Sequence, residues 1–175
     1  MARFVDPDSG FRTSFLAAIA EFRADPDYPV PWFVQDVDAA ALVEPAAFEA
    51  YVGRVLGERT PAGVREGFVP MTTLWWVDGD RFLGRLAVRH RLTPALSELG
   101  GHIGYDVRPA ARRRGHATAM LRAALPIARA LGIGEALVMC DLSNVASRRV
   151  IEANGGRLID VTERKRRYRV PTAPS

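Results

Sequence analysis

Cysteine is almost missing from this chain. Cys140 stands alone, which excludes an internal disulfide and the small stapled folds that depend on one. It lies in an apolar run, VMCDL, and reads as buried filler, with no nucleophile implied. No stretch of about 18 apolar residues occurs, so no membrane span or membrane partner is expected. The N-terminus MARFVDPDSG has no basic-then-apolar leader pattern, and the expected compartment is the cytoplasm. Repeats and low-complexity segments are absent. Lysine is nearly so: Lys165 is the only one among 24 basic residues. The arginine clusters 112–114, 148–149 and 164–169 lack interleaved aromatics, and no nucleic-acid module accompanies them, so no nucleic-acid partner is expected. No metal site is expected either.

What is present is an ordinary globular composition. Of the 175 residues 48% are apolar and 25% charged, with a net charge of +4. That suits a single domain, here placed at 1–170 with a loose tail at 171–175. A short strand over 3–6 precedes a helix with Phe11, Phe15, Ile19 and Phe22 on one face. Residues 25–32, DPDYPVPW, must form a loop or extended arm. Pro45 opens a second helix with Phe48, Val52, Val55 and Leu56 inward. A hairpin follows, 72–77 and 81–91, turning at Asp78-Gly79-Asp80. Residues 92–101 cross to a strand at 102–107. A helix then buries Ala117, Leu121, Ala124, Leu125 and Ala128, with Pro126 loosening one turn. A buried strand at 135–141, a capped helix at 145–154 and a last strand pair, 157–161 and 165–170, complete the order β-α-α-β-β-β-α-β-α-β-β.

The stretch IGYDVRPAARRRGHATAML, residues 103–121, carries the chemistry. A strand ends at Val107, and a helix opens around Arg114-Gly115-His116-Ala117. Helix-start N–H groups lack internal partners and sit at the positive end of the dipole, which suits an anion. Arg112, Arg113 and Arg114 add formal charge, and Gly115 allows close backbone approach.

The spacing R-x-x-G-x-A, filled by Arg112, Gly115 and Ala117, resembles the acetyl-CoA pyrophosphate motif of the GCN5-related N-acetyltransferases (GNAT). A second signature of that family is similar to CDLSNVASRRVIEANGG, residues 140–156, with Asn144, Ser147 and Gly155 at the matching positions. The resemblance covers nearly the whole chain. It implies an α/β (α+β) fold: a central mixed, twisted sheet of about six or seven strands, with helices on both faces. Two parallel strands, 102–107 and 135–141, splay apart at the cofactor. It further implies that main-chain groups of Tyr105, Asp106 and Val107 bind the pantetheine arm of acetyl-CoA. The N–H groups of Arg113, Arg114, Gly115, His116, Ala117 and Thr118 would hold the diphosphate, with Asn144 and Ser147 alongside.

The activity implied is direct acetyl transfer to a primary amine of a small molecule or peptide. The alternative is a non-catalytic acyl-CoA-binding or interaction module of the same fold. A homodimer is left open. The Val107 N–H is the expected oxyanion donor. Relatives often read E-I-G-Y where this chain reads H-I-G-Y, so His102 is the candidate general base, with packing as its other role. Many relatives carry a tyrosine seven residues after the asparagine, as acid for the thiolate; here it is Ile151. Trp32, Phe33, Trp75 and Trp76 are candidate acceptor-pocket walls, and Asp25, Asp27, Asp36, Asp38 and Glu44 either attract a cationic amine or are ordinary loop surface.

Overall fold

The computed structural model describes residues 1–173. In chain order the elements are β1 (Arg3–Val5), α1 (Arg12–Ala24), α2 (Trp32–Gln35), α3 (Pro45–Gly57), β2 (Met71–Asp78), β3 (Arg81–Arg89), α4 (Pro94–Leu99), β4 (Ile103–Val107), α5 (His116–Ala130), β5 (Glu135–Asp141), α6 (Val145–Glu152), β6 (Arg157–Val161) and β7 (Lys165–Pro171). Two short helices, α2 and α4, stand where sequence patterning gives only loop and crossing segment. Each is too short for an apolar period to show. Thr93 caps α4 by accepting the Leu96 N–H at 3.3 Å.

The strands form two antiparallel sheets, β1-β2-β3-β4 and β5-β7-β6. The α5 crossover makes β4 and β5 neighbours that run the same way, yet no ladder joins them. They meet at one point: the His102 N–H donates to Leu137 O at 2.7 Å. One continuous sheet is therefore replaced by two half-sheets that open along β4.

Both faces are covered, giving two cores. On one side α5 and α6 bury Met120, Leu121, Ala124, Ala128 and Ile151 against Leu86, Val138 and Tyr168. On the other, α1 and α3 bury Phe15, Ile19, Phe22, Phe48 and Val52 against Trp75, Val77 and Phe82. The i, i+4 and i+3 spacing of Phe15, Ile19 and Phe22 produces that stripe on α1. Trp75 and Trp76 alternate across β2 and both are buried, one in each core. Phe15 stacks on Trp75 with centroids 5.0 Å apart.

The β2–β3 register shifts at Trp76/Val77, a bulge that kinks β3 just before Gly84. A Cβ on Gly84 would stand 2.4 Å from Asp106 O, so only glycine lets β3 approach the end of β4 this closely. The C-terminus is anchored further than expected. Pro171 belongs to β7, and buried Thr172 donates through Oγ1 to Ile133 O at 2.7 Å. Of the expected loose tail, residues 174–175 lie outside the described residues.

Candidate cofactor and acceptor site

The turn from β4 into α5 is built around two left-handed residues. Gly115 has φ 78° and Arg113 φ 61°. Positive φ is uncommon in a non-glycine residue, and such strain concentrates at functional turns. Among the described residues, no main-chain N–H from Arg113 to Thr118 donates to a protein acceptor. The bonds resume at Ala119, which donates to Gly115 O at 3.0 Å. Arg113, Arg114 and Gly115 are exposed, while His116, Ala117 and Thr118 are half-buried. Consecutive free N–H groups in this conformation make an anion-binding concavity at the positive end of α5. A Cβ on Gly115 would meet nothing, so that flank is open. His116 turns back toward the core, its Nδ1 accepting from Trp76 Nε1 at 3.2 Å.

Arg112 does something different from its neighbours. Its Nε donates to Val107 O at 3.1 Å, its Nη1 reaches Asp25 Oδ2 at 2.5 Å, and its guanidinium lies 4.6 Å from the Tyr28 ring centroid. It ties the turn to the end of α1. A second tie lies beside it. Glu21 accepts from Arg108 Nε (3.2 Å), Arg108 Nη2 and the Ala110 N–H (3.1 Å). Nothing in local patterning reveals Glu21, Asp25 and Arg108 as braces of this turn.

Next to the turn, β4 presents an open edge. Bonds from the Arg89 N–H to His102 O and from the Arg108 N–H to Leu83 O fix the register with β3. Hydrogen-bonded pairs alternate along an antiparallel ladder. Gly104 and Asp106 therefore face β3 with their main-chain groups, and Ile103, Tyr105 and Val107 face the gap toward β5. The Asp106 backbone is thus engaged, correcting the expectation of three successive open residues. The Val107 carbonyl is taken by Arg112, which leaves the Tyr105 groups and the Val107 N–H available.

Across the gap, Tyr105 Oη sits 2.8 Å from Ser147 Oγ. Burial pushes its hydroxyl far above the usual tyrosine value, so it stays protonated. Asn144 caps α6 by accepting the Ser147 N–H at 2.9 Å. Tyr105, Asn144 and Ser147 are thereby brought together. Ile151 is fully buried in the core.

His102 bridges the two half-sheets twice. Besides its main-chain bond, its Nδ1 accepts the Leu137 N–H at 2.9 Å. A neutral ring accepting at Nδ1 carries its proton on Nε2 and has no free lone pair. Burial, then Arg169 and Arg89, lower its pKa, which holds it in that neutral form.

On the α1–α3 side of β4, the register aligns Trp75, Arg85 and Asp106 in one row. Arg85 is 4% exposed and donates from Nη1 to Asp106 Oδ2 at 3.3 Å. Its guanidinium lies 5.0 Å from the Trp32 ring and 4.8 Å from the Phe33 ring. Arg85, Trp32 and Phe33, with Tyr51, Thr73 and Trp75, line a small cleft. Burial raises the Tyr51 hydroxyl to about 12, so it too is a neutral donor. A lone charged residue inside the apolar strand RFLGRLAVR was the one sequence signal for Arg85. Three of the five acidic residues nearby are used locally. Asp36 pairs with Arg65, Asp25 with Arg112, and Asp38 accepts the Ala41 N–H.

A family model described as the acetyltransferase (GNAT) domain matches residues 11–157. The chain belongs to the GNAT acetyltransferases. Among solved structures, GNAT members share the fold at low identity. Mycobacterium smegmatis RimJ, in complex with CoA-disulfide, is 15% identical with a TM-score of 0.69, over 97% of this chain and 81% of that one. The microcin C7 self-immunity acetyltransferase MccE, in complex with acetyl-CoA and AMP, is 11% identical with a TM-score of 0.66, over 97% and 92%. The Salmonella typhimurium acetyltransferase that modifies the N-terminal serine of ribosomal protein L7/L12 is 14% identical with a TM-score of 0.62, over 97% and 94%. No curated protein matches the sequence. No cluster of potential metal ligands occurs among the described residues, and no helix there is long and apolar enough to cross a membrane.

Proposed function

We propose that this GNAT protein is an acetyl-CoA-dependent N-acetyltransferase acting on a primary amine of a small molecule or peptide. The observation that carries the reading is the run of unpartnered N–H groups from Arg113 to Thr118, continuous with the open edge of β4. A diphosphate fits the first and the amides of a pantetheine arm fit the second, as an added strand would. Asn144 and Ser147 line the opposite wall. The Val107 N–H is the oxyanion donor, since it points into the gap without a partner. His102 and Leu137 hold the narrow end of the gap.

The reading is a direct transfer with no covalent acyl-enzyme. Cys140 is 4% exposed in the core, and burial raises its thiol pKa, so a thiolate nucleophile is disfavoured. The solved neighbours include one that modifies a protein N-terminal serine and one named for microcin C7 self-immunity, so peptides and small amines both belong in the test.

Calorimetry of acetyl-CoA binding and a thiol-release assay over amines and peptides check the proposal. Binding heat and release of free CoA are expected. Arg114→Glu should weaken binding by roughly tenfold, the scale of one charge-assisted contact. Absence of binding heat would end the cofactor assignment. Ile151, at the position of the family's acid, favours a second reading, a non-catalytic acyl-CoA-binding module. Tight binding with no turnover on any acceptor would establish that reading instead.

A further inference from the structure

We infer that Asp106 is the catalytic base that takes the proton from the acceptor amine. This rests on the N-acetyltransferase reading above. Side chains alternate along β4. Ile103, Tyr105 and Val107 point to the α5–α6 core, whereas Asp106 points to the face of Arg85 and Trp75. That face borders the cleft of Trp32, Phe33, Tyr51 and Trp75. Asp106 is also flanked by Tyr105 and Val107, whose main-chain groups form the open edge. Its carboxylate therefore lies beside the edge along which a thioester would lie, and contacts Arg85, which lines the cleft from which an amine would arrive.

The carboxylate is held on one side only. Oδ2 accepts from Arg85 Nη1 at 3.3 Å, while Oδ1 has no hydrogen-bond partner among the described residues. The side chain keeps 24% exposure, so it is reachable. The charged groups facing it are Arg85 and Arg89 from β3 and Arg112 from the turn. Burial raises its pKa against the pull of those arginines, which makes the carboxylate a stronger base than a solvated one. The other candidates are occupied or turned away. The Nδ1 lone pair of His102 is engaged by Leu137. Glu98 lies on α4, which packs through Ser97 against Arg167 of β7. Cys140 faces the opposite core.

In the step, the neutral amine nitrogen attacks the thioester carbonyl carbon and an N–C bond forms. One amine proton passes to Asp106 Oδ1. The C–S bond breaks, and its electron pair leaves with sulfur. The thiolate is then protonated by the same carboxyl group or by water. Amine and acetyl-CoA become amide and CoA thiol, and Asp106 returns to its ionised form.

Asp106→Asn keeps an oxygen for Arg85 and removes the base. With an acceptor found by thiol release, kcat should fall about a hundred- to ten-thousandfold, while calorimetric acetyl-CoA affinity stays within about twofold. The residual rate should climb with pH where the wild type levels off. If the Asn variant melts early, Asp106→Ala with added formate supplies the readout, and restored turnover is expected. His102→Asn, whose Oδ1 can accept the Leu137 N–H, should keep most of the rate that His102→Ala loses. Asp106→Asn turnover within threefold of wild type, no formate rescue of Asp106→Ala, or His102→Asn as impaired as Asp106→Asn would each overturn the assignment. Acetyl-CoA binding with no wild-type turnover on any amine would overturn the transferase reading and this assignment together.

Discussion

Glu21 is the most informative residue to remove. It lies near the end of α1, opposite the turn between β4 and α5, and accepts from Arg108 Nε, Arg108 Nη2 and the Ala110 N–H. The Arg108 side chain is 7% exposed and that of Glu21 28%. The other Arg108 partners, Phe82 O at 3.0 Å and Ser14 Oγ at 3.3 Å, are neutral. Glu21→Ala therefore leaves a buried guanidinium without a counter-charge. Removing one member of a fully buried pair costs about 3–5 kcal/mol. Partial exposure of Glu21 admits water and lowers the expectation to about 2–3 kcal/mol. For a domain this size that is roughly a 4–12 °C fall in Tm.

The pH dependence has a definite sign. Burial raises the Glu21 carboxyl pKa, but the Arg108 and Ala110 hydrogen bonds and the arginine charge outweigh it. The folded value therefore lies below the ordinary 4.5. A depressed carboxylate contributes its stability above the unfolded pKa and loses it as pH falls through the folded one. The gap between wild type and variant should be full at pH 7 and shrink below about pH 4. Denaturant unfolding across that range measures it. A loss under about 0.5 kcal/mol at pH 7, or one undiminished in acid, would refute the reasoning. Arg108→Met in the Glu21→Ala background should recover part of the loss, because an apolar replacement removes the orphaned charge.

Three further outcomes are expected. Gly84→Ala places a Cβ 2.4 Å from Asp106 O; backbone must move, at about 1–3 kcal/mol, and calorimetry should show it. Arg112→Ala strands Asp25, whose side chain is 5% exposed, and should destabilise by roughly 2–3 kcal/mol in urea unfolding, with weaker acetyl-CoA binding because the turn loosens. Tyr105→Phe loses the bond to Ser147 across the gap. About 1 kcal/mol of stability should go, and a small rise in the KM for acetyl-CoA should accompany it.

Much of the frame is legible in residue order. The 3.6-residue stripes of α1, α3 and α5, the turn at Asp78-Gly79-Asp80 and the Asn144 cap are local signals, and local physics produces them. So is the glycine turn into α5, since Gly115 and the start of α5 are contiguous in the chain. The short helices α2 and α4 escaped because a single turn carries no period. The β3 bulge escaped because it is defined by pairing with β2. Three successive open residues on β4 were expected, but hydrogen-bond alternation leaves only Ile103, Tyr105 and Val107 facing the gap.

Sequence alone determined the order of the strands and the longer helices, the glycine turn before α5 and the family resemblance, because each depends on neighbours within a few positions. Tertiary structure decided which polar side chains meet. Glu21 and Arg108 are 87 positions apart, as are Asp25 and Arg112, and Arg85 and Asp106 are 21 apart. It also turned the His102 imidazole toward Leu137 and set Asp106 against Arg85 of the cleft. Such pairings depend on strand register and on the crossing of helix over sheet, which no local propensity encodes.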